Sequence, residues 1–128
     1  MLFRSRLDHY IAENQQIVGP AGDALSTGDL GAFGEIVARS QEFTDTLLGN
    51  QVPQTIALAR LAREQGAHAA SAFGAGFGGS VWALIDSRQG DDFLAAWSGA
   101  YARAWPDAVA QARFFTTQAG PAAFGLES

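Results

Sequence analysis

The stretch that decides the fold is SAFGAGFGGSVWALID, residues 71–86, in which a glycine-rich loop separates two apolar runs. Four of the six residues in GAGFGG, residues 74–79, are glycines. Glycine is used where the backbone needs positive φ or must lie close to another group. The flanking runs, AHAASAF and SVWALID, predict two strands joined in an antiparallel hairpin. Two interpretations of the loop remain open: a tight structural turn, or a main-chain cradle for an anion such as phosphate.

The residues before this hairpin carry apolar side chains at helical spacing, which predicts a helical N-terminal half. Glycine, proline and aspartate mark the expected ends of its helices. Three helices are predicted: residues 3–25, bent or split at Gly19-Pro20; residues 30–48, with Asp29 as N-cap and Gly49 or Asn50 as C-cap; and residues 53–66, with Pro53 in the first turn.

The residues after the loop predict strand, helix and strand. SVWALID has apolar residues on both sides, which predicts an inner strand covered on both faces. GDDFLAAWSGAYARAW, residues 90–105, predicts a helix that begins at Asp91 or Asp92 and ends before Pro106, and ARFFTTQ, residues 112–118, predicts a last strand. The order indicates a single α+β domain over residues 1–128, with a small antiparallel sheet packed with helices. Three strands make a thin domain, which is compatible with a missing partner strand or a missing second lobe.

Composition excludes several classes of function. The formal net charge is −5, there is no lysine, and the eight arginines are scattered, which disfavours nucleic-acid binding and a Walker-type phosphate site. Cysteine is absent, which excludes disulfides, thiolate metal sites and a cysteine nucleophile. Residues 66–85 carry no formal charge apart from His68 and could span a bilayer by length alone, but their glycines predict strand, loop and strand. We therefore expect no membrane span and a cytoplasmic location.

The polar residues do not assemble a catalytic site in the sequence. His9 and His68 lack a metal-ligand spacing, and Asp91-Asp92 is better explained by helix capping than by acid–base catalysis. Asp86 has no obvious partner and is expected at the solvated surface. Ser71 and Ser80 flank the loop without a neighbouring base. The residues alone thus predict no catalytic group and no metal ligand in this chain.

The segment GAHAASAFGAGFGGSVWALID, residues 66–86, resembles the third conserved motif of the GHMP sugar and small-molecule kinases, in the galactokinase branch. The upstream segments RLDHYIAENQQIV, ALSTGDLGAFGEIVARS and NQVPQTIALARLAREQGA are similar to the helices that precede this motif in galactokinases. The resemblance extends from about Phe3 to Thr117. It implies the C-terminal, ferredoxin-like lobe of a two-lobed kinase that uses ATP and Mg²⁺ in carbohydrate metabolism.

By the same resemblance, the loop lies in the cleft between the lobes, beside the phosphates of the nucleotide. The positions that match the family motif are Gly74, Gly76, Phe77, Gly78 and Gly79. Ala75 stands in place of the usual middle glycine and Phe73 where galactokinases often have threonine, and these departures weaken the case for galactose as the substrate.

The resemblance also assigns the sugar-binding residues, the catalytic aspartate and the main serine-rich phosphate loop to the N-terminal lobe, which has no counterpart in residues 1–128. The chain is therefore expected to be inactive alone and to meet sugar and ATP through that lobe. Two alternatives remain open: a non-catalytic sugar or nucleotide sensor or adaptor, which Ala75 and Phe73 favour, and a domain that forms a homodimer through the face that would meet the other lobe.

Overall fold

The N-terminal half of the protein is helical, as predicted. The computed structural model describes residues 2–74, 79–121 and 125. Helix α1 (Leu2–Ala12) continues through a π-helical segment, Glu13–Val18, into α2 (Gly19–Thr27). The helix is not split at Gly19-Pro20, because Val18 and Gly19 both have right-handed helical dihedral angles and the backbone stays helical from the π-helical segment into α2. Pro20 is the second residue of α2, and because it has no backbone N–H it cannot donate to a carbonyl oxygen of the preceding π-helical segment.

The next two helices begin where the sequence predicts, and the chain after α3 turns at a predicted capping glycine, whereas α4 ends at Glu64, two residues before the predicted end. Asp29 caps α3 (Leu30–Phe43), its Oδ1 accepting a hydrogen bond from the Ala32 N–H at 2.9 Å. After a π-helical turn, Thr44–Leu48, the chain reverses at Gly49, which has φ 65°. Helix α4 (Pro53–Glu64) then begins at its proline, as expected.

The predicted hairpin forms from β1 (Ala69–Phe73) and β2 (Ser80–Leu84), which pair antiparallel with Ala69 opposite Leu84 and Phe73 opposite Ser80. The prediction that β2 is an inner strand covered on both faces is wrong. In the described part of the chain the sheet has two strands, so β2 is an edge strand, and Val81–Leu84 are only half-buried. A continuous apolar run does not by itself distinguish a fully covered strand from a partly covered one.

Helix α5 (Gly90–Ala104) follows a 3₁₀ turn, Ser87–Gln89. The prediction that Asp91 or Asp92 begins the helix is wrong, because the preceding turn lets Gln89 occupy the N-cap position. The two aspartates lie in the first turn, where their negative charge interacts favourably with the helix dipole. The helix ends before Pro106, as predicted.

The strand predicted at residues 112–118 does not form. After a 3₁₀ turn, Val109–Gln111, residues 112–121 have no regular secondary structure. Contacts between side chains position this segment instead of strand pairing. The Phe114 ring packs edge-on against Trp97 with centroids 5.2 Å apart, and lies 6.1 Å from the ring of Tyr101. We name residues 112–119 the C-terminal segment.

The core lies where α4, β1 and α5 meet. Small side chains on α4 and β1 let the backbones approach large side chains on α5, and the buried cluster consists of Ala59, Leu61, Ala62, Ala70, Phe93, Trp97, Ala100 and Tyr101. Helix α3 covers the start of β1 so closely that a Cβ on Gly34 would lie 1.9 Å from the carbonyl oxygen of His68. None of the helices in the described ranges has the length and apolar character of a bilayer span. The α+β class is confirmed.

Candidate functional site: the glycine loop and its supports

The glycine loop joins the two strands, and its ends adopt backbone conformations that favour glycine. Gly74 has φ 91° and Gly79 has φ 100°. A Cβ added at either position would have no atom within 4 Å. Glycine is therefore favoured at these two positions by the positive φ and not by crowding. The remaining loop positions of the sequence prediction, Ala75, Gly76, Phe77 and Gly78, lie outside the described residues.

A buried glutamine on α3 holds the strand that leads into the loop. The Gln41 Oε1 accepts hydrogen bonds from the Ser71 Oγ at 2.9 Å and from the Ala72 N–H at 2.8 Å. Ala72 is two residues before Gly74, so this clamp fixes β1 close to the start of the loop. It also gives the Ser71 hydroxyl an amide partner instead of a base, which is the arrangement of a structural serine and not of an activated nucleophile.

Further polar groups connect this clamp to the start of α4. The Gln41 Nε2 lies 3.5 Å from the Gln51 Oε1, which accepts a hydrogen bond from the Thr55 Oγ1 at 3.0 Å. The Gln51 Nε2 donates to the Asn50 Oδ1 at 3.1 Å. Gln41, Asn50 and Thr55 are buried, and buried polar networks of this kind rigidify the structure when their members are paired. The sequence analysis did not identify Gln41 as a functional residue. Its position could have indicated this, because Gln41 is a polar residue four positions after Val37, on the inner face of α3.

Arg63 completes the support of β1. Its Nη1 donates a hydrogen bond to the Ala70 carbonyl oxygen at 3.1 Å. Partial burial lowers the pKa of Arg63 below its ordinary value, and the like charge of Arg60 lowers it further, while Glu64 opposes both effects. The side chain stays charged at neutral pH because the ordinary pKa of arginine is so high.

Each of the two histidines lies near a carboxylate. The His68 Nε2 lies 3.2 Å from the Asp86 Oδ1 at the open end of the hairpin, one strand length away from the loop. Asp86 therefore has a partner, contrary to the sequence expectation, although its side chain is 63% exposed. His9 lies on α1, 3.5 Å from the Glu13 Oε1. Among the described residues, no group of three or more His, Asp or Glu side chains is arranged to hold a metal ion.

A groove of about 1190 Å³ begins at the second end of the loop, beside Gly79. It runs between β2, the N-terminal half of α5 and the C-terminal segment. Its lining is mostly apolar, and the charged side chains among the described lining residues are Arg88, Asp91 and Arg113. We name it the β2 groove.

The family follows from the comparison with known proteins. The family model described as "GHMP kinases C terminal" matches residues 23–103, which include the hairpin, the loop and most of the helices. The chain therefore belongs to the GHMP kinases, in their C-terminal region, and the resemblance seen in the sequence is confirmed. It is similar to a galactokinase of Chloroflexus aggregans, with 30% identity over 95 residues, which cover 73% of this chain and 24% of that protein. The chain thus spans about a quarter of the length of the curated relative it matches.

Proposed function

We propose that residues 1–128 act as the C-terminal lobe of an ATP-dependent sugar kinase of the galactokinase type. The reaction is phosphoryl transfer from ATP to a sugar hydroxyl, and the lobe is not active alone. The observation that supports this most strongly is the position of the glycine loop. It lies inside the GHMP kinase match, between two paired strands, with positive φ at both ends.

In this proposal Gly74, Ala75, Gly76, Phe77, Gly78 and Gly79 line the part of the cleft that holds the nucleotide phosphates. Main-chain N–H groups stabilise anionic oxygens, and glycines let a phosphate approach the backbone closely. Catalysis of phosphoryl transfer consists mainly of positioning and charge stabilisation, so a fixed loop contributes without supplying a base. The Gln41 clamp on Ser71 and Ala72 supports this role, because it limits movement of the strand from which the loop emerges.

The remaining chemistry would come from an N-terminal lobe outside residues 1–128. The described residues provide no cluster of carboxylates or histidines fit to hold Mg²⁺, so the ligands of that ion would lie elsewhere in the complete enzyme. Sugar-binding residues and the catalytic aspartate belong to the same lobe in this proposal. The chain's own part is to form one wall of the phosphate cleft.

A chimaera tests the proposal. In the Chloroflexus aggregans galactokinase, the region that aligns with this chain is replaced by residues 1–128, and ATP-dependent phosphorylation of a panel of hexoses is measured. We expect transfer to at least one sugar, and we expect Gly79→Ala to raise the KM for ATP or lower kcat because alanine is strained at φ 100°. The matched control is Gly22→Ala on exposed α2, where a Cβ meets nothing within 4 Å.

Each result of this assay has a distinct meaning. Saturable sugar or nucleotide binding without turnover would favour the sensor or adaptor alternative. A folded chimaera that neither binds nor transfers would contradict the proposal. For the isolated chain we expect ATP to change the melting temperature only slightly, because one wall of a cleft offers little binding area, and a shift of many degrees would contradict that expectation.

A further inference from the structure

The N-terminal helical stretch, α1 with its π-helical segment and α2, presents an apolar surface to solvent. Two hydrogen bonds attach its inner side to the rest of the protein. The Ser5 Oγ donates to the Leu47 carbonyl oxygen, and the Ser40 Oγ donates to the Glu13 carboxylate. The stretch also carries six of the eight exposed large apolar side chains of the described residues, namely Phe3, Leu7, Tyr10, Ile11, Val18 and Leu25. We name these six residues the outer face of α1–α2. Exposed apolar side chains grouped in this way mark interaction surfaces.

The outer face is directed away from the protein body and belongs to other elements than the glycine loop. With about 100° of rotation per residue, Phe3, Leu7 and Tyr10 lie about 140–200° around α1 from the anchored Ser5. Helix α1 packs on the turn Thr44–Leu48 and α2 packs on α3, whereas the hairpin packs on α3 and α4. A partner bound to the outer face therefore does not need the loop residues.

The spacing of residues along this stretch is symmetric about Asn14. From Phe3 the positions follow at intervals of four, three and four residues to Asn14, and the same intervals lead from Asn14 to Leu25. The positions are Phe3, Leu7, Tyr10, Asn14, Val18, Ala21 and Leu25. A second copy that runs antiparallel, with its Asn14 opposite the first, places Phe3 opposite Leu25. The same arrangement places Tyr10 opposite Val18. Such a self-complementary surface is what a two-fold symmetric interface between identical chains requires.

Charged and polar side chains fit the same arrangement. Arg4 and Asp23 are exposed and lie next to the two ends of the symmetric set. In the antiparallel pair, Arg4 of each copy lies beside Asp23 of the other, which gives two pairs of opposite charge at the rim. Such pairs fix orientation and register more than they add affinity. At the axis the two Asn14 amides can donate to and accept from each other, and a polar residue in the seam of a helix pair specifies the register.

The exposed apolar area is sufficient for a weak dimer. Phe3 is 81% exposed and Tyr10 is 67% exposed. Because an aromatic side chain buries about 150–250 Å², the four rings of a dimer supply about 500–600 Å² of buried area. The aliphatic side chains of the two outer faces add a similar area, which brings the total to about 1,200 Å², the lower limit of specific interfaces. We therefore expect a dissociation constant in the micromolar range.

We propose that two copies of this chain associate through the outer face of α1–α2, with the helices antiparallel and Asn14 at the two-fold axis. The inference goes beyond the proposed function, because the glycine loop takes no part in the contact. This dimer also differs from the homodimer that the sequence left open, which uses the face that would meet the other lobe. An unrelated protein surface does not require a spacing that is symmetric about one residue, whereas a second copy does.

Sedimentation equilibrium of the isolated chain at about 1–500 µM tests the inference. We expect a monomer–dimer equilibrium, and we expect Tyr10→Glu to weaken the dimer about 10-fold or more because it buries a charge opposite Val18. Phe115→Glu is the matched control, because Phe115 is 75% exposed, lies outside the outer face and undergoes the same change in charge. Circular dichroism verifies that both variants stay folded. A chain that is monomeric at every concentration, or equal weakening by the two variants, would overturn the inference.

A charge exchange tests the antiparallel register. Asp23→Arg places two arginines side by side and should weaken the dimer about 10-fold, and Arg4→Asp should do the same with two aspartates. The double variant Arg4→Asp/Asp23→Arg restores opposite charges and should recover the original dissociation constant within about 3-fold. Glu35→Arg, at an exposed position on α3, is the control for net charge and should leave the dimer unchanged. A double variant that does not recover would contradict the proposed arrangement.

A cysteine at the axis gives a direct readout, because the chain has no cysteine of its own. Asn14→Cys brings two thiols together in the proposed dimer, so mild oxidation should convert most of the chain into a disulfide-linked dimer. Glu35→Cys is the exposed control and should cross-link slowly. Similar rates for the two variants would overturn the inference. A monomeric chain whose Tyr10→Glu variant impairs phosphate transfer by the chimaera would assign the outer face to the rest of the kinase and would also overturn it.

Discussion

Replacing Gly34 by alanine tests how closely α3 approaches the hairpin. The added Cβ would lie 1.9 Å from the carbonyl oxygen of His68, about 1.5 Å short of ordinary van der Waals contact. The obstructing atom belongs to the backbone immediately before β1, so it cannot turn aside as the end of a flexible side chain could. The substitution therefore requires α3 and the start of β1 to separate.

The size of the effect follows from two opposing contributions. Alanine is a better helix former than glycine by about 1 kcal/mol. Overpacking a well-packed site costs about 1–3 kcal/mol, and this overlap between two backbones belongs at or above the upper end of that range. We expect Gly34→Ala to lower the free energy of unfolding by about 2 kcal/mol, which for a domain of this size corresponds to a decrease of about 8 °C in the melting temperature.

Urea denaturation of the isolated chain, followed by circular dichroism, measures this change. Gly22→Ala is the matched control, because Gly22 is also helical but a Cβ there meets nothing within 4 Å. The control should gain about 0.5–1 kcal/mol of stability. A Gly34→Ala variant as stable as the control would refute the packing of α3 on β1 described above.

Three other substitutions have expected effects on the free energy of unfolding of the isolated chain. Gln41→Ala leaves the Ala72 N–H without its acceptor, whereas the Ser71 hydroxyl can still donate to the Ala72 carbonyl oxygen at 3.1 Å. We expect a loss of about 1–3 kcal/mol by urea denaturation, and a loss well below about 1 kcal/mol would show that water replaces the clamp. Asp29→Ala removes the N-cap of α3 and should lower the free energy of unfolding by about 1 kcal/mol. Asp29→Ser keeps a capping oxygen, so its melting temperature should stay close to that of the unmodified chain. Phe114→Ala removes aromatic packing and should cost about 2–3 kcal/mol. Phe115→Ala is the control, because this side chain is 75% exposed, and should cost less than about 0.5 kcal/mol. Equal losses in the two variants would contradict the placement of the C-terminal segment.

Local sequence signals determined the parts of the fold that depend on nearby residues. Caps such as Asp29 and Gly49 act through backbone groups within three or four positions, so their residue types identify the helix ends directly. The hairpin was equally predictable, because two β-rich runs on either side of clustered glycines have few other ways to pair. The family was also readable from the loop and the helices before it, and the GHMP kinase match confirms it.

Only the tertiary structure decided the features that depend on residues far apart in the chain. Residues 112–118 have the composition of a strand, but they form no strand, and Phe114 packs against Trp97 and Tyr101 of α5 instead. The clamp on β1 joins Gln41 to residues thirty positions later, so no local pattern reveals it. The same holds for the position of β2 at the edge of the sheet in the described part of the chain, because which strand other elements cover depends on how distant parts of the chain pack. Sequence periodicity indicates which side of a strand is apolar, but only the tertiary packing decides which residues lie against that side.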